Sequence, residues 1–193
     1  MRRSQNDYLF SSSNWFDVER GAEAKLVEEI NRLDGNRLLN TSPDDLTDYF
    51  EKSYRLEVPV LQEEGIAVDK RETQIDVSHR FDYGVFDRSR PAYVTGTAID
   101  VTVPFTGDGQ LFSIRPSTYN SAPPVATVQG GYLQFTIADT QLDPQQVRTS
   151  IERTVAEIRQ YLEWLRGNAK GWNDRICTLA REHVDRRRQK LLN

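Results

Sequence analysis

Between Tyr54 and Asp139 the apolar residues recur at every second position in one short run after another, and no helical stretch separates the runs. Tyr54, Leu56, Val58 and Val60 alternate with Arg55, Glu57 and Pro59, which predicts an edge strand because proline cannot donate to a ladder. Ile75, Val77 and His79 form a second run, and Thr97, Ile99, Val101, Val103 and Phe105 form the clearest one. Leu111–Arg115 and Val125–Val128 are shorter candidates. Gln129-Gly130-Gly131 then turns the chain into a strand bearing Leu133, Phe135 and Ile137 on one side. A glycine pair between two alternating runs marks a hairpin, since a tight primed turn needs positive φ. About six consecutive strands without crossover helices imply an antiparallel sheet or small sandwich and exclude a doubly wound fold.

Helical spacing flanks this region. Val18, Ala22, Leu26, Ile30 and Leu33 make one stripe over 17–33, with Gly35 placed as a C-terminal cap. Ser42-Pro43-Asp44-Asp45 combines a cap, a first-turn proline and two carboxylates at the positive end of a helix dipole. Asp143-Pro144 opens a last helical region, in which Val155, Ile158, Leu162, Leu165, Ala169, Trp172, Ile176 and Leu179 are spaced three and four apart. The count survives Gly167 and Gly171, although each glycine costs a helix interior about 1 kcal/mol. Packing that offsets this cost, or a bend, would account for it. The expected fold is therefore α+β: N-terminal helices, the antiparallel sheet, and a long C-terminal helix or helical hairpin. The expected domains are 1–142 and a helical arm, 143–193, that docks in its first half and projects toward an effector in its second.

A coiled-coil dimer needs complementary charges beside its apolar seam. Counted from Val155, the flanking positions hold Arg159, Tyr161, Arg166, Asn168, Asn173 and Arg175, which do not pair by charge. Packing within the chain is the preferred reading. Leu162, Leu165, Trp172, Ile176 and Leu179 are the candidates for an oligomer or partner interface.

The chain has 193 residues, 37% hydrophobic and 28% charged, enough for a real core and too apolar for disorder. No uncharged apolar stretch approaches the roughly 20 residues that span a bilayer. No apolar segment follows Arg2 and Arg3 as a secretory signal would require. One cysteine, Cys177, allows neither an internal disulfide nor a cysteine-rich metal site and reads as a small buried group. The expected location is cytoplasmic. Residues 143–193 carry 11 Lys and Arg against 7 Asp and Glu, which leaves 14 against 22 in the remainder of this chain of net charge −4. The basic end could touch nucleic acid through Arg186, Arg187 and Arg188, or complement the acidic body.

Chemistry is sparse. His79 and His183 are the candidate bases near neutral pH; Ser78 and His79 are adjacent in a strand and face opposite ways, so they cannot act as a pair. Phosphate-loop, HExxH, paired CxxC and EF-hand patterns do not occur. Glu-x-Lys occurs only as Glu23-Ala24-Lys25, in a helix, and the acidic run from Asp44 to Asp76 reads as solvated surface. No enzyme, metal or cofactor is expected. Two loops stand out, FDRSRPAYVTG (86–96) and IRPSTYNSAPP (114–124), each setting arginine beside proline and an aromatic residue. Arg88, Arg90, Tyr93, Arg115 and Tyr119 could form a rim that holds an anion, nucleotide or partner loop. The simpler account pairs Asp87 with the arginines locally.

FDRSRPAYVTGTAIDVTVPFTGD, LFSIRPSTYNSAPP, VQGGYLQFTI and IRQYLEWLRGNAKGWNDR together resemble the amino-terminal region of a group of uncharacterised bacterial proteins. In that group a restriction-endonuclease-like domain follows. The resemblance spans roughly residues 16–192 and reaches no nuclease domain, so no catalytic residue is carried over. Leu191-Leu192-Asn193 ends the helical pattern without glycine or proline, as a helix that continues or was cut would. The resemblance implies a non-enzymatic sensing, scaffolding or oligomerisation module of a bacterial nuclease or antiphage defence system. Its expected partner is a protein or a second copy, with no membrane. The alternative is a ligand- or nucleotide-binding regulatory domain using the Arg-Pro loops.

Overall fold

A computed structural model describes residues 8–193; Arg2 and Arg3 lie outside them. The fold is α+β, and its described residues form two compact units, each built from separated stretches of chain. The first contains Tyr8 and Leu9, Val60–Gly109 and Pro124–Arg159; the second contains Phe10–Pro59, Gln110–Pro123 and Gln160–Asn193. These boundaries differ from the expected division at 142/143. The first sixteen residues of the C-terminal helix belong with the sheet, and the rest belong with the N-terminal helices.

The first unit holds a five-stranded antiparallel sheet: β2 (Val60–Leu61), β3 (Ala67–Asp76), β4 (Tyr93–Thr106), β6 (Thr127–Gln129) and β7 (Tyr132–Asp139). β4 is central. It pairs with β7 on one side, and on the other with β3 over ten residues and with β2 at its end. Alternation buries Val101, Val103 and Phe105 of β4 and Leu133 and Phe135 of β7. β6 and β7 join through the expected Gly130-Gly131 turn, with Gly130 at φ 56°. β3 is much longer than the run at Ile75 predicts. Its sequence AVDKRETQID is largely exposed, so no apolar period marks it. The charges along this edge guard it against pairing with other strands.

The second unit is helical. α1 (Trp15–Arg32) begins at Asn14, whose Oδ1 accepts the Asp17 N–H. It ends at Leu33; Gly35, expected as its cap, instead opens α2 (Gly35–Asn40) behind Asp34. α3 (Pro43–Tyr54) starts as expected, with Ser42 Oγ accepting from Asp45 N at 3.0 Å. α4 (Pro144–Leu192) is one continuous helix rather than a hairpin. Its C-terminal half brings Ala180 and Val184 against Leu26, Ile30, Leu38, Leu46 and Phe50, all buried. A short parallel pair, β1 (Ser13–Asn14) with β5 (Ile114–Arg115), completes this unit. No helix among the described residues is long and apolar enough to cross a membrane.

The expected strand at Tyr54–Val60 shrinks to Val60–Leu61. The residues before it join no ladder and bond instead to side chains of α4. Trp172 Nε1 donates to the Tyr54 carbonyl at 2.9 Å. Asn173 accepts the Leu56 N–H at 2.9 Å and donates to the Leu56 carbonyl at 3.0 Å. A helix thus supplies the partners a ladder would otherwise provide.

Candidate functional site

The β3–β4 hairpin closes through residues 77–92, and the base of this loop is held by its own backbone. Val77 N donates to the Ala92 carbonyl at 2.7 Å. Asp76 Oδ1 accepts from Ser78 N at 2.9 Å and Ala92 N at 3.3 Å. These bonds to the charged form, the Ser78 amide foremost, hold the Asp76 carboxyl below the usual range. Arg80 Nη1 reaches Asp139 on β7 at 2.5 Å, and this guanidinium lowers the Asp139 carboxyl in turn. Phe81–Tyr83 makes one 3₁₀ turn, which Gly84 ends in the left-handed region at φ 59°.

The tip held on this base is apolar and aromatic. Phe81 is 82% exposed and Phe86 is fully exposed, with Tyr83 and Tyr93 also on the surface. The Arg88 guanidinium lies 4.2 Å from the Phe81 ring centre, a cation–π contact. Arg88 has no carboxylate partner among the described residues, whereas Arg90 faces Asp87 at 3.8 Å and Arg80 is engaged by Asp139. Asp87 is instead tied to Ser89, which lowers its carboxyl below the usual range. Leaving a phenylalanine side chain in water forgoes about 1.5–3 kcal/mol of burial. A tip with two such side chains and a stacked, unpaired arginine has the composition of a binding hot spot.

Arg88 and Arg90 occupy this loop, and Tyr93 begins the strand after it. Arg115 and Tyr119 fall in the second unit, where the Arg115 guanidinium sits 4.6 Å from the Tyr119 ring centre. Their loop is fastened to α4. Asn168 bonds Ser117 N and Oγ, and Tyr161 Oη both accepts from Asn120 N and donates to the Asn120 carbonyl. The five arginine-loop residues are therefore divided between the two units. The aromatic members Phe81 and Phe86 were not legible as a site, because FDYGVF between two strands reads equally as strand and turn.

The remaining candidates are structural in setting. Leu162, Leu165, Trp172 and Ile176 are buried within the second unit, and Leu179 packs half-buried against its helical core. From Leu162 to Leu179 the apolar face of α4 is thus occupied by the chain itself rather than projecting. Arg187 donates to the carbonyls of Ile30 and Leu33, and Arg188 to those of Leu38, Leu39 and Thr41. Both guanidiniums satisfy carbonyls left over at the ends of α1 and α2. Arg186 alone of the three is exposed. His79 is exposed and His183 half-buried. Cys177, expected inside, is exposed. Among the described residues no group of three or more His, Cys, Asp or Glu could hold a metal ion. Compared with models of protein families, with curated proteins and with solved structures, the chain matches none.

Proposed function

We propose that this chain is a non-enzymatic recognition module that takes a protein partner through the hairpin tip at residues 77–92. The supporting observation is the combination of Phe81 and Phe86, both water-exposed, with an Arg88 that no carboxylate among the described residues neutralises. A complementary segment would supply apolar side chains to cover the two rings and a carboxylate to meet the guanidinium. Covering the rings drives association, and the arginine fixes orientation and raises the encounter rate. The base of the loop is already hydrogen-bonded, so less ordering cost is left for binding. The setting in a bacterial nuclease or antiphage system is proposed on the resemblance alone. A nucleotide or other phosphate on Arg88 is the second reading, favoured by that same unpaired guanidinium.

The test uses purified chain as bait in cells of its source, with Phe81→Ser/Phe86→Ser/Arg88→Glu as the matched control. The expected result is a protein retained by the wild type, lost with the triple variant, and rebinding in a mixture of the two purified components. Identical capture by both baits would reject the tip as the site. Thermal stabilisation by nucleotides, abolished by Arg88→Ala, would move the assignment to the second reading.

A further inference from the structure

A second surface of the first unit carries a different chemistry. The first turns of α4 run beside the sheet and leave a groove of about 500 Å³. Its sheet wall is Val68 and Lys70 of β3 with Thr97 and Ile99 of β4. The register fixes that wall, for Lys70 lies directly opposite Ile99 and Val68 opposite Val101, so alternation puts all of them on one face. The helix wall is Pro144, Val147, Arg148, Ile151 and Glu152. Their spacing of three and four is one helical stripe, which continues into the buried Val155 and Ile158. The stripe is thus core for its second part and open for its first. Ile99, Val147 and Ile151 are only half-buried, and Val68 is 60% exposed.

The charges in this groove do not cancel. Arg148 Nε is 2.9 Å from Glu152 Oε1, a pair within the wall itself. Lys70 has no carboxylate partner for its ammonium among the described residues; neighbouring Asp69 accepts its backbone N–H instead. One apolar channel therefore carries one uncompensated cation on its rim. Its size falls in the range of small-molecule sites, which join mostly apolar walls to a few placed polar groups. Aromatic side chains are missing from these walls, so nothing there would stack on a base. A polyphosphate would call for more than one free cation.

We propose that this groove binds a free acyl carboxylate, its chain along Ile99, Val147 and Ile151 and its head on the Lys70 ammonium. The site is independent of the hairpin tip, so either proposal can fail without the other. Binding would bury the open part of the α4 stripe and hence stabilise the first unit by mass action.

The experiment is isothermal titration of the whole chain with decanoate below its micelle concentration, and with decanol as the uncharged counterpart. Lys70 is exposed, so Lys70→Gln should fold as the wild type does. One saturable decanoate site is expected, weakened about tenfold by Lys70→Gln and retained by Lys70→Arg, as loss of a charge-assisted hydrogen bond predicts. Decanol should bind Lys70→Gln and wild type alike, and Ile151→Asp should lose both ligands. Three results would overturn the proposal: no saturable binding, decanoate affinity indifferent to Lys70→Gln, or a concentration-dependent dimer abolished by Ile151→Asp. Binding to anionic vesicles but not to monomeric decanoate would also overturn it, since the groove would then serve a lipid surface.

Discussion

At Gly96, near the start of β4, an added Cβ would lie 2.6 Å from Ile75 Cγ1 and 2.7 Å from the Asp139 carbonyl oxygen. The strands on either side approach too closely for any side chain, so Gly96→Ala should cost about 1–3 kcal/mol in urea unfolding. Gly167 and Gly171 face the opposite situation, with nothing within 4 Å of an added Cβ. They sit on exposed turns of α4 and there carry only the entropy cost of glycine. Gly167→Ala and Gly171→Ala should each stabilise the chain by about 0.4–1 kcal/mol in the same assay. Carboxylates give a pH dependence of definite sign. Asp139 is held below the usual range by Arg80, Asp100 by Arg71 and Thr136, and Asp76 by the Ser78 amide. A carboxyl depressed in the folded state contributes stability above its unfolded value, near 3.9, and loses it as pH falls through the folded one. All three belong to the first unit. Its unfolding midpoint in urea should hold steady down to about pH 4 and fall below it. The drop should be smaller in Arg80→Gln, where the bond that depresses Asp139 is gone. A midpoint insensitive to acid would show that these bonds persist equally in the unfolded chain.

Among the elements, α4 explains most of what the sequence concealed. Its polar residues Asn168 and Asn173 failed as charge partners of a coiled coil, and that failure was informative. They turn out to bond the backbones of Ser117 and Leu56, the latter 117 residues away in sequence. No local signal in Arg55–Pro59 could announce a partner so distant, and its alternation therefore mimicked a strand. Asn173→Leu should remove both bonds to Leu56 and leave two part-buried backbone groups unpaired, at a cost of about 1–3 kcal/mol. Hydrogen exchange at the Leu56 amide should accelerate in that variant; unchanged protection would mean that water or another group takes over. Strands with one buried face were legible, as at Thr97–Phe105. β3 was not, because an exposed edge strand has no reason to alternate. N-terminal capping was the most transparent, since Ser42 and Asp143 act within three residues of their partners.

For the whole molecule, part of the uneven charge of the sequence is taken up by contacts within the chain. Arg175 meets Glu19 and Glu23, Arg181 meets Asp44, and Arg187 and Arg188 serve helix ends. Within the second unit, Arg175 and Arg181 thus meet carboxylates of the N-terminal helices, while Arg166 and Lys170 pair within α4 itself. The same logic governs the apolar face of α4, where periodicity revealed the stripe but could not say whose surface covers it. Trp172 is fully buried, and its indole nitrogen serves the Tyr54 carbonyl. Trp172→Glu would place a carboxylate in that site, open a cavity and orphan the carbonyl. Truncating a buried tryptophan alone costs about 3–5 kcal/mol, a large part of the stability of a domain this size. The variant should lose its near-ultraviolet dichroism and cooperative unfolding, with no smaller folded species in sedimentation. Phe86→Ser, on the open hairpin tip, should leave stability and dichroism unchanged. If Trp172→Glu instead gave a well-folded protein of lower mass than the wild type, the α4 face would be a contact between copies. The stripe would then be covered by a second molecule, and the helices assigned to it within the chain would need another explanation for their burial.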